Sequence, residues 1–277
     1  MNVKNLKLEN FRNISSLELD FDKEINVICG ENAQGKTNII EALWLFSGAK
    51  SFRNSNDSQF IKFNENSAKI FTEFKMLGVE NSAEIKFSEK RTAYLNEKKL
   101  PNPSGLAGKF NAVVFSPADL TLVTDGPEKR RRFLDIAIGQ LYPNYIEILR
   151  SYSRAVMQRN RIIKDYRYDK TLSVMLEVFE NEIVESGNKI INYRKKYINI
   201  LNRYIEDIYS GISWGKEKIK TEYISKSGDI LDLENIKKSR EKDMFTSTTS
   251  IGPHRDDINF KINDISARNY GSQGQKR

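Results

Sequence analysis

The sequence has one cysteine, Cys29, and one histidine, His254, among its 277 residues. A lone cysteine excludes an internal disulfide and a cysteine-built zinc centre. A lone histidine makes a metal site or a Ser-His-Asp triad a poor reading of "GPHRDD". A hydrogen-bonded structural role is expected for His254, and burial within a strand for Cys29. No apolar run approaches the ~18 residues needed to span a bilayer. The first residues, "MNVKNLKLENFRN", are broken by charges and lack the apolar core of a signal peptide. Acidic residues are the scarcer sign, 37 against 45 lysines and arginines, for a net charge of +8 and a pI near 9.3. That balance favours an acidic partner, nucleic acid before a membrane surface. Hydrophobic residues at 39% and charged residues at 30% describe a globular chain able to bury a core. The expectation is a soluble, cytoplasmic protein.

The N-terminal part reads as strands: Leu6 and Leu8, then Leu17, Leu19 and Phe21, alternate with polar residues. Ile25, Val27 and Ile28 form a short apolar run of the buried-strand type. Ile39, Ile40, Leu43, Trp44 and Phe46 follow at helical spacing, with Gly48 as a terminator. "AKIFTEFKM" and "SAEIKFSEK" look like paired strands around a Gly78 turn, and "NAVVF" like a further strand. Helical sequence runs from Pro127, then from about 144 to 168, then from about 171 to 208 with an interruption at Gly187. The last of these carries Leu176, Ile183, Ile190, Tyr204 and Ile208 on one face. A short helix is expected near 236–245. Strand pattern returns at Ile258, Phe260 and Ile262, with Asn263-Asp264 as a hairpin turn. The order suggests an α/β domain with a helical insertion: a head of 1–116 and 246–277, and an arm of 117–245.

Gly30-Glu31-Asn32-Ala33-Gln34-Gly35-Lys36-Thr37 fits G-x-x-x-x-G-K-[ST] in full, between a predicted strand and a predicted helix. Gly30 and Gly35 permit backbone angles that let successive amides converge on phosphate oxygens. The helix starting near Lys36 adds its positive end. Lys36 would reach the β- and γ-phosphates, and the Thr37 hydroxyl would ligate Mg²⁺. The guanine-reading N-K-x-D element is missing, since Asn188-Lys189 is followed by Ile190-Ile191. ATP is therefore favoured over GTP.

"LENFRN", the phosphate loop with "TNIIEAL", "FSPADLTLVTDGPEKRRRFLD", "SIGPHRDDI" and "ARNYGSQGQKR" together resemble the RecF family of bacterial DNA-repair ATPases, in order and spacing over nearly the whole chain. The resemblance implies an ABC-type P-loop ATPase head with mixed β-sheets and an inserted helical arm. The arm is tens of residues long and no cysteine pair offers a zinc hook, which favours RecF over the long coiled-coil ATPases. It further implies a signature motif at Ser272, Gln273, Gly274 and Gln275. That motif would contact the γ-phosphate of ATP held by a second copy, so that ATP closes a homodimer. By the same resemblance the protein acts at gapped DNA or double-strand/single-strand junctions. There it supports RecA loading with RecO and RecR, and the SOS response. In the family the Walker B carboxylates lie beyond the signature segment, and the sequence runs only to Arg277, two residues past Gln275, so weak ATP hydrolysis is expected of these residues alone.

Between Glu128 and Lys170, eleven lysines and arginines face five acidic residues. Arg150, Arg154 and Arg161 fall near one helical face that could neutralise DNA phosphates, or could equally be a solvated exterior. Arg12 in "NFRN" and Arg53 in "KSFR" are candidates for phosphate contact, or for structural ion pairs. Asp256 and Asp257 are adjacent, so a shared Mg²⁺ is doubtful. Two rival functions stay open at this level: a P-loop small-molecule kinase, and a DNA-binding module without a nucleotide cycle.

Overall fold

The computed structural model describes residues 1–53, 55–166 and 168–272. The chain divides into two compact units, Met1–Val114 and Phe115–Arg277. The first is built on β1 (Asn2–Phe11), β2 (Ile14–Asp20), α1 (Lys36–Leu45), β3 (Ala68–Met76), β4 (Val79–Phe87), β5 (Thr92–Leu95) and β6 (Lys98–Lys99). Its sheet has the order β2-β1-β3-β4-β5-β6, with every described pairing antiparallel. Alternation sets one face inward: Leu6 and Leu8 of β1, Ile70 and Phe74 of β3, Ile85 and Phe87 of β4. Ile39, Ala42 and Leu45 of α1 close this core, and the rings of Phe60 and Phe87 meet at 4.9 Å and those of Phe74 and Phe110 at 5.0 Å. Met76 and Val79 pair across Leu77-Gly78. Positive φ at both residues, 50° and 85°, is what a type I′ hairpin requires.

Two expected strands did not form ladders. The segment around Ile25–Ile28 and the segment 111–115 pair with no described strand. Ile25 and Val27 are 80% and 83% exposed, and Val113 and Phe115 are 95% and 75% exposed. Cys29, expected to pack inside, is exposed. Apolar composition marks a segment that could be buried, but a strand exists only where a second backbone supplies its hydrogen bonds.

The second unit contains α2 (Pro127–Leu141), α3 (Pro143–Tyr166), α4 (Ser173–Ser213), β7 (Ile219–Ile224), α5 (Leu233–Lys238), α6 (Arg240–Thr246), β8 (Asp257–Ile262), β9 (Ile265–Ser266) and α7 (Ala267–Tyr270). Pro127 starts α2 as expected, its missing N–H falling where a helix has no use for it. Gly187 does not interrupt α4. A Cβ there would lie 2.9 Å from Leu231 Cδ2 and 3.3 Å from Tyr152 Cε2, so the glycine admits close packing. Tyr204 and Ile208, on the same helical face as the buried Leu176, Ile183 and Ile190, are 65% and 64% exposed. The reason is length: α3, at ~1.5 Å per residue, is too short to face the whole of α4. Past Ile198 the helix is flanked instead by β7, with Asn202 bonded to Thr221. The expected helix near 236–245 is two, α5 and α6, which meet at Ser239.

Residues 246–272 fall within this second unit. β8 pairs with β7, and Asn263-Asp264 (φ 49° and 64°) turns β8 into β9. The Asp257 carboxylate receives Arg130 Nε and Nη2 at 2.7 and 3.0 Å. Arg130, Arg159 and Arg194 are all nearly inaccessible, which a guanidinium tolerates only when paired. Arg159 meets Glu180 at 3.2 Å and Asp243 at 2.7 Å. Arg194 meets Asp135 at 2.8 Å and donates to the Pro253 carbonyl at 2.6 Å. Among the described residues no helix is long and apolar enough to cross a membrane.

His254 sits in this core. Its Nε2 lies 2.9 Å from the Thr249 carbonyl, an acceptor only, so Nε2 carries the hydrogen and Nδ1 accepts from the Tyr152 hydroxyl. Burial, with the positive charges of Arg255 and Arg131, pushes its pKa down to about 4. The folded form holds the neutral ring, whereas the unfolded chain takes up a proton below about 6.5. Stability from this group is therefore present above pH 6.5 and is lost as pH falls towards 4. Urea unfolding across that range should show a pH slope steeper for the wild type than for His254→Gln, by up to about 1.4 kcal/mol per pH unit.

Candidate phosphate-binding site

Gly30–Thr37 forms a loop entering α1 in the first unit. Gly30, Ala33 and Gly35 take positive φ values of 145°, 65° and 94°. These angles fold the backbone back on itself, so that peptide groups can converge on an anion. A Cβ on Gly30 would meet nothing within 4 Å, which leaves that side of the loop open. Lys36 Nζ donates to the Gly30 and Glu31 carbonyls at 2.6 Å each, and so lies across the hollow of the loop. Gly35 caps α1 without a side-chain hydrogen bond. The helix's first amides thus keep their capacity for an external acceptor. Thr37 is exposed at the second helical position, with no hydroxyl partner among the described residues. Loop amides, an ammonium and a free hydroxyl form a donor set that fits a polyphosphate, with Thr37 offering the oxygen a hard cation takes.

Arg12 and Arg53 converge on one buried carboxylate. Arg12 is the first residue of the turn joining β1 to β2, at φ 58°. There a side chain costs about 1–2 kcal/mol relative to the right-handed region. Its Nε and Nη2 donate to Glu41 at 3.0 and 2.9 Å, and its Nη1 donates to the Gln59 carbonyl at 3.0 Å. Glu41, on α1, is fully buried and also accepts from the Ser51 hydroxyl. Arg53 is held less firmly. Its Nη1 donates to Asn38 Oδ1 at 2.9 Å, lies 3.7 Å from Glu41, and its side chain is 47% exposed. Sequence reasoning passed over Asn13, Asn38 and Glu41. All three lie inside "LENFRN" and "TNIIEAL", but nothing in the string says that these two segments touch.

In the second unit, Arg150, Arg154 and Arg161 lie together on the exposed face of α3, with Met157 and Lys164. Tyr152, Ala155, Arg159 and Ile163 form the buried face. Two residues of the expected basic block, Arg130 and Arg159, are thus core ion-pair partners rather than surface charge. Asp256 and Asp257 turn to different partners. Asp256 accepts from the Tyr223 hydroxyl at 2.6 Å and the Lys226 amide at 2.9 Å, while Asp257 holds Arg130. Ser272 is exposed after α7. Gln273, Gly274 and Gln275 lie outside the described residues.

A glycine-bent loop crossed by a lysine and leading into an uncapped helix defines a P-loop nucleotide-binding protein. Consistently, the family described as AAA ATPase domain matches residues 1–273. The DNA replication and repair protein RecF of Agathobacter rectalis is 38% identical over 279 residues, covering 100% of this chain and 77% of the relative. The RecF of Bacillus cytotoxicus is likewise 38% identical over 288 residues with the same coverage. A solved structure of the recombination mediator protein RecF with ATP, from the RecFOR pathway, superposes with a TM-score of 0.93. It is 31% identical and covers 99% of this chain and 77% of that one. The chain belongs to the RecF family.

Arg12, a candidate for phosphate contact from the sequence, is bonded to a buried carboxylate, so its removal should act first on folding. Arg12→Ala is expected to destabilise the first unit by roughly 3–5 kcal/mol, because Glu41 would be left buried without its main partner. Chemical denaturation measures this. An unchanged midpoint, together with weakened nucleotide binding, would assign Arg12 to the phosphates instead.

Proposed function

We propose that this chain binds MgATP in the loop Gly30–Thr37 and uses it to switch a DNA-bound dimer. The observation that carries the reading is the loop itself, with Lys36 lying across carbonyls that a triphosphate would displace. On binding, the ammonium moves from the Gly30 and Glu31 carbonyls to the β- and γ-phosphate oxygens, exchanging dipoles for full charges. The amides of Gly35, Lys36 and Thr37 contribute the helix's positive end. Mg²⁺, when bound, would neutralise phosphate charge, and the Thr37 hydroxyl would be the group on this chain to hold it. Arg53, exposed and lightly held, is the nearby cation able to swing towards phosphate. The signature residues Ser272–Gln275 would seal the nucleotide of a second copy, making ATP the glue of a two-fold dimer.

On DNA, Arg150, Arg154 and Arg161 would neutralise backbone phosphates without reading sequence. Membership of the RecF family supports gapped or junction DNA as the target, RecO and RecR as partners, RecA loading as the outcome, and a part in the SOS response. The small-molecule kinase reading has no observation in its favour.

Lys36→Ala should abolish MgATP binding in calorimetry and, with it, any ATP-dependent dimer seen in sedimentation. Equal affinity in wild type and variant would overturn the site. Replacing Arg150, Arg154 and Arg161 together with alanine should lower the slope of log affinity for duplex DNA against log salt by roughly 2–3. An unchanged slope would remove this face of α3 from DNA contact.

A further inference from the structure

The residue after Arg12 reaches the phosphate loop's backbone from outside the loop. Asn13 Nδ2 donates to the carbonyl of Ala33 at 2.8 Å, and its Oδ1 accepts from Asn38 Nδ2 at 2.7 Å. Asn38 Oδ1 in turn accepts from Arg53 Nη1 at 2.9 Å. Ala33 is the one non-glycine residue in the loop at positive φ, 65°, a conformation costly for a side chain unless its surroundings fix it. A Cβ on Gly35 would lie 3.1 Å from Asn13 Oδ1 and 3.2 Å from Ile14 Cδ1. The same turn therefore packs against the point where the loop becomes a helix. One amide side chain thus grips the loop at its strained apex and at the first turn of α1.

We propose that Asn13 is a positioning residue of the nucleotide site: it holds the loop in its phosphate-receiving shape before nucleotide arrives. This rests on the reading that the loop binds MgATP. Asn13 touches no phosphate. It acts by fixing Ala33 and by linking the loop, through Asn38, to Arg53. A loop that is already shaped binds without first being ordered, so the benefit appears as affinity. Asn13 is exposed and lies in a turn, so its loss removes little packing from the core. The chain of bonds Ala33–Asn13–Asn38–Arg53 also couples the two ends of the site. A movement of Arg53 towards phosphate would free Asn38 Oδ1 while leaving the Asn13 grip in place.

The test uses the 277-residue chain, MgATP and MgADP in calorimetry, thermal melting, and amide hydrogen exchange of the loop. Asn13→Ala should weaken both nucleotides by about ten-fold, the equivalent of one lost polar contact. Its melting temperature without nucleotide should stay close to wild type. Asn13→Asp matches the shape but offers the Ala33 carbonyl no donor, and should bind at least as weakly as Asn13→Ala. Loop amides should exchange faster in both variants while those of β1 and β3 do not. Should Asn13→Asp bind nucleotide as wild type does, or the strand amides lose protection together with the loop, the positioning role is overturned. Lys36→Ala separates the two ideas. A wild type that binds no MgATP, or that binds it no better than Lys36→Ala, overturns the nucleotide reading and this inference with it. Normal loss in Lys36→Ala, beside full binding in Asn13→Ala, overturns this inference alone.

Discussion

A carboxylate with no exposure to water must be compensated where it stands, and Glu41 is such a group in the first unit. Its partners come from both sides of the chain. Arg12 arrives from the turn between β1 and β2, and Ser51 and Arg53 arrive from the segment after α1. The pair fixes α1 against that turn. Once Arg12 is drawn in, Asn13 is carried to the phosphate loop, where it meets Ala33 and Asn38. The ion pair also explains a backbone oddity. Arg12 occupies a left-handed turn position usually given to glycine, and its bidentate bonds to Glu41 offset the strain. A glycine there would relax the turn but leave the carboxylate without its main partner.

The second unit solves the same problem three times. Arg130, Arg159 and Arg194 lie among apolar side chains, each bound to a carboxylate from a distant part of the sequence. Such pairs contribute little net stability, but losing one partner is costly, so they specify which segments must meet. Asp257 and Asp243 bring residues after the long helices back onto α2 and α3, and Asp135 ties α2 to α4. Charge is thus divided by role: one face of α3 turns Arg159 inward to carboxylates, and the other presents Arg150, Arg154 and Arg161 to solvent.

Much of this organisation was legible from periodicity and motif. Alternation located β3 and β4 with their Gly78 turn, and Pro127 marked the start of α2. The motif Gly30–Thr37 marked a glycine-bent loop running into a helix, as the structure has it. Periodicity misled in particular places. The apolar runs near Val27 and Val113 looked like buried strands but have no ladder partner among the described residues. Gly187 looked like a break, yet it marks a close approach to Leu231 and Tyr152. Tyr204 and Ile208 continue the apolar stripe of α4 past the end of the helix that covers it.

The sequence alone determined local matters: which segments coil or extend, where turns with positive φ must fall, and that a loop of this composition can cradle phosphate. These follow from backbone sterics and side-chain spacing, which act over a few residues. Only the tertiary structure decided which charges are inside. Arg130 and Arg131 are neighbours in one basic run, and Arg12 and Asn13 share one turn. Nothing local tells the paired guanidinium from the partly exposed one, or the anchor from the residue that grips the loop. Those roles depend on partners 20 to 127 positions away, and contact over such separations is set by how whole elements pack.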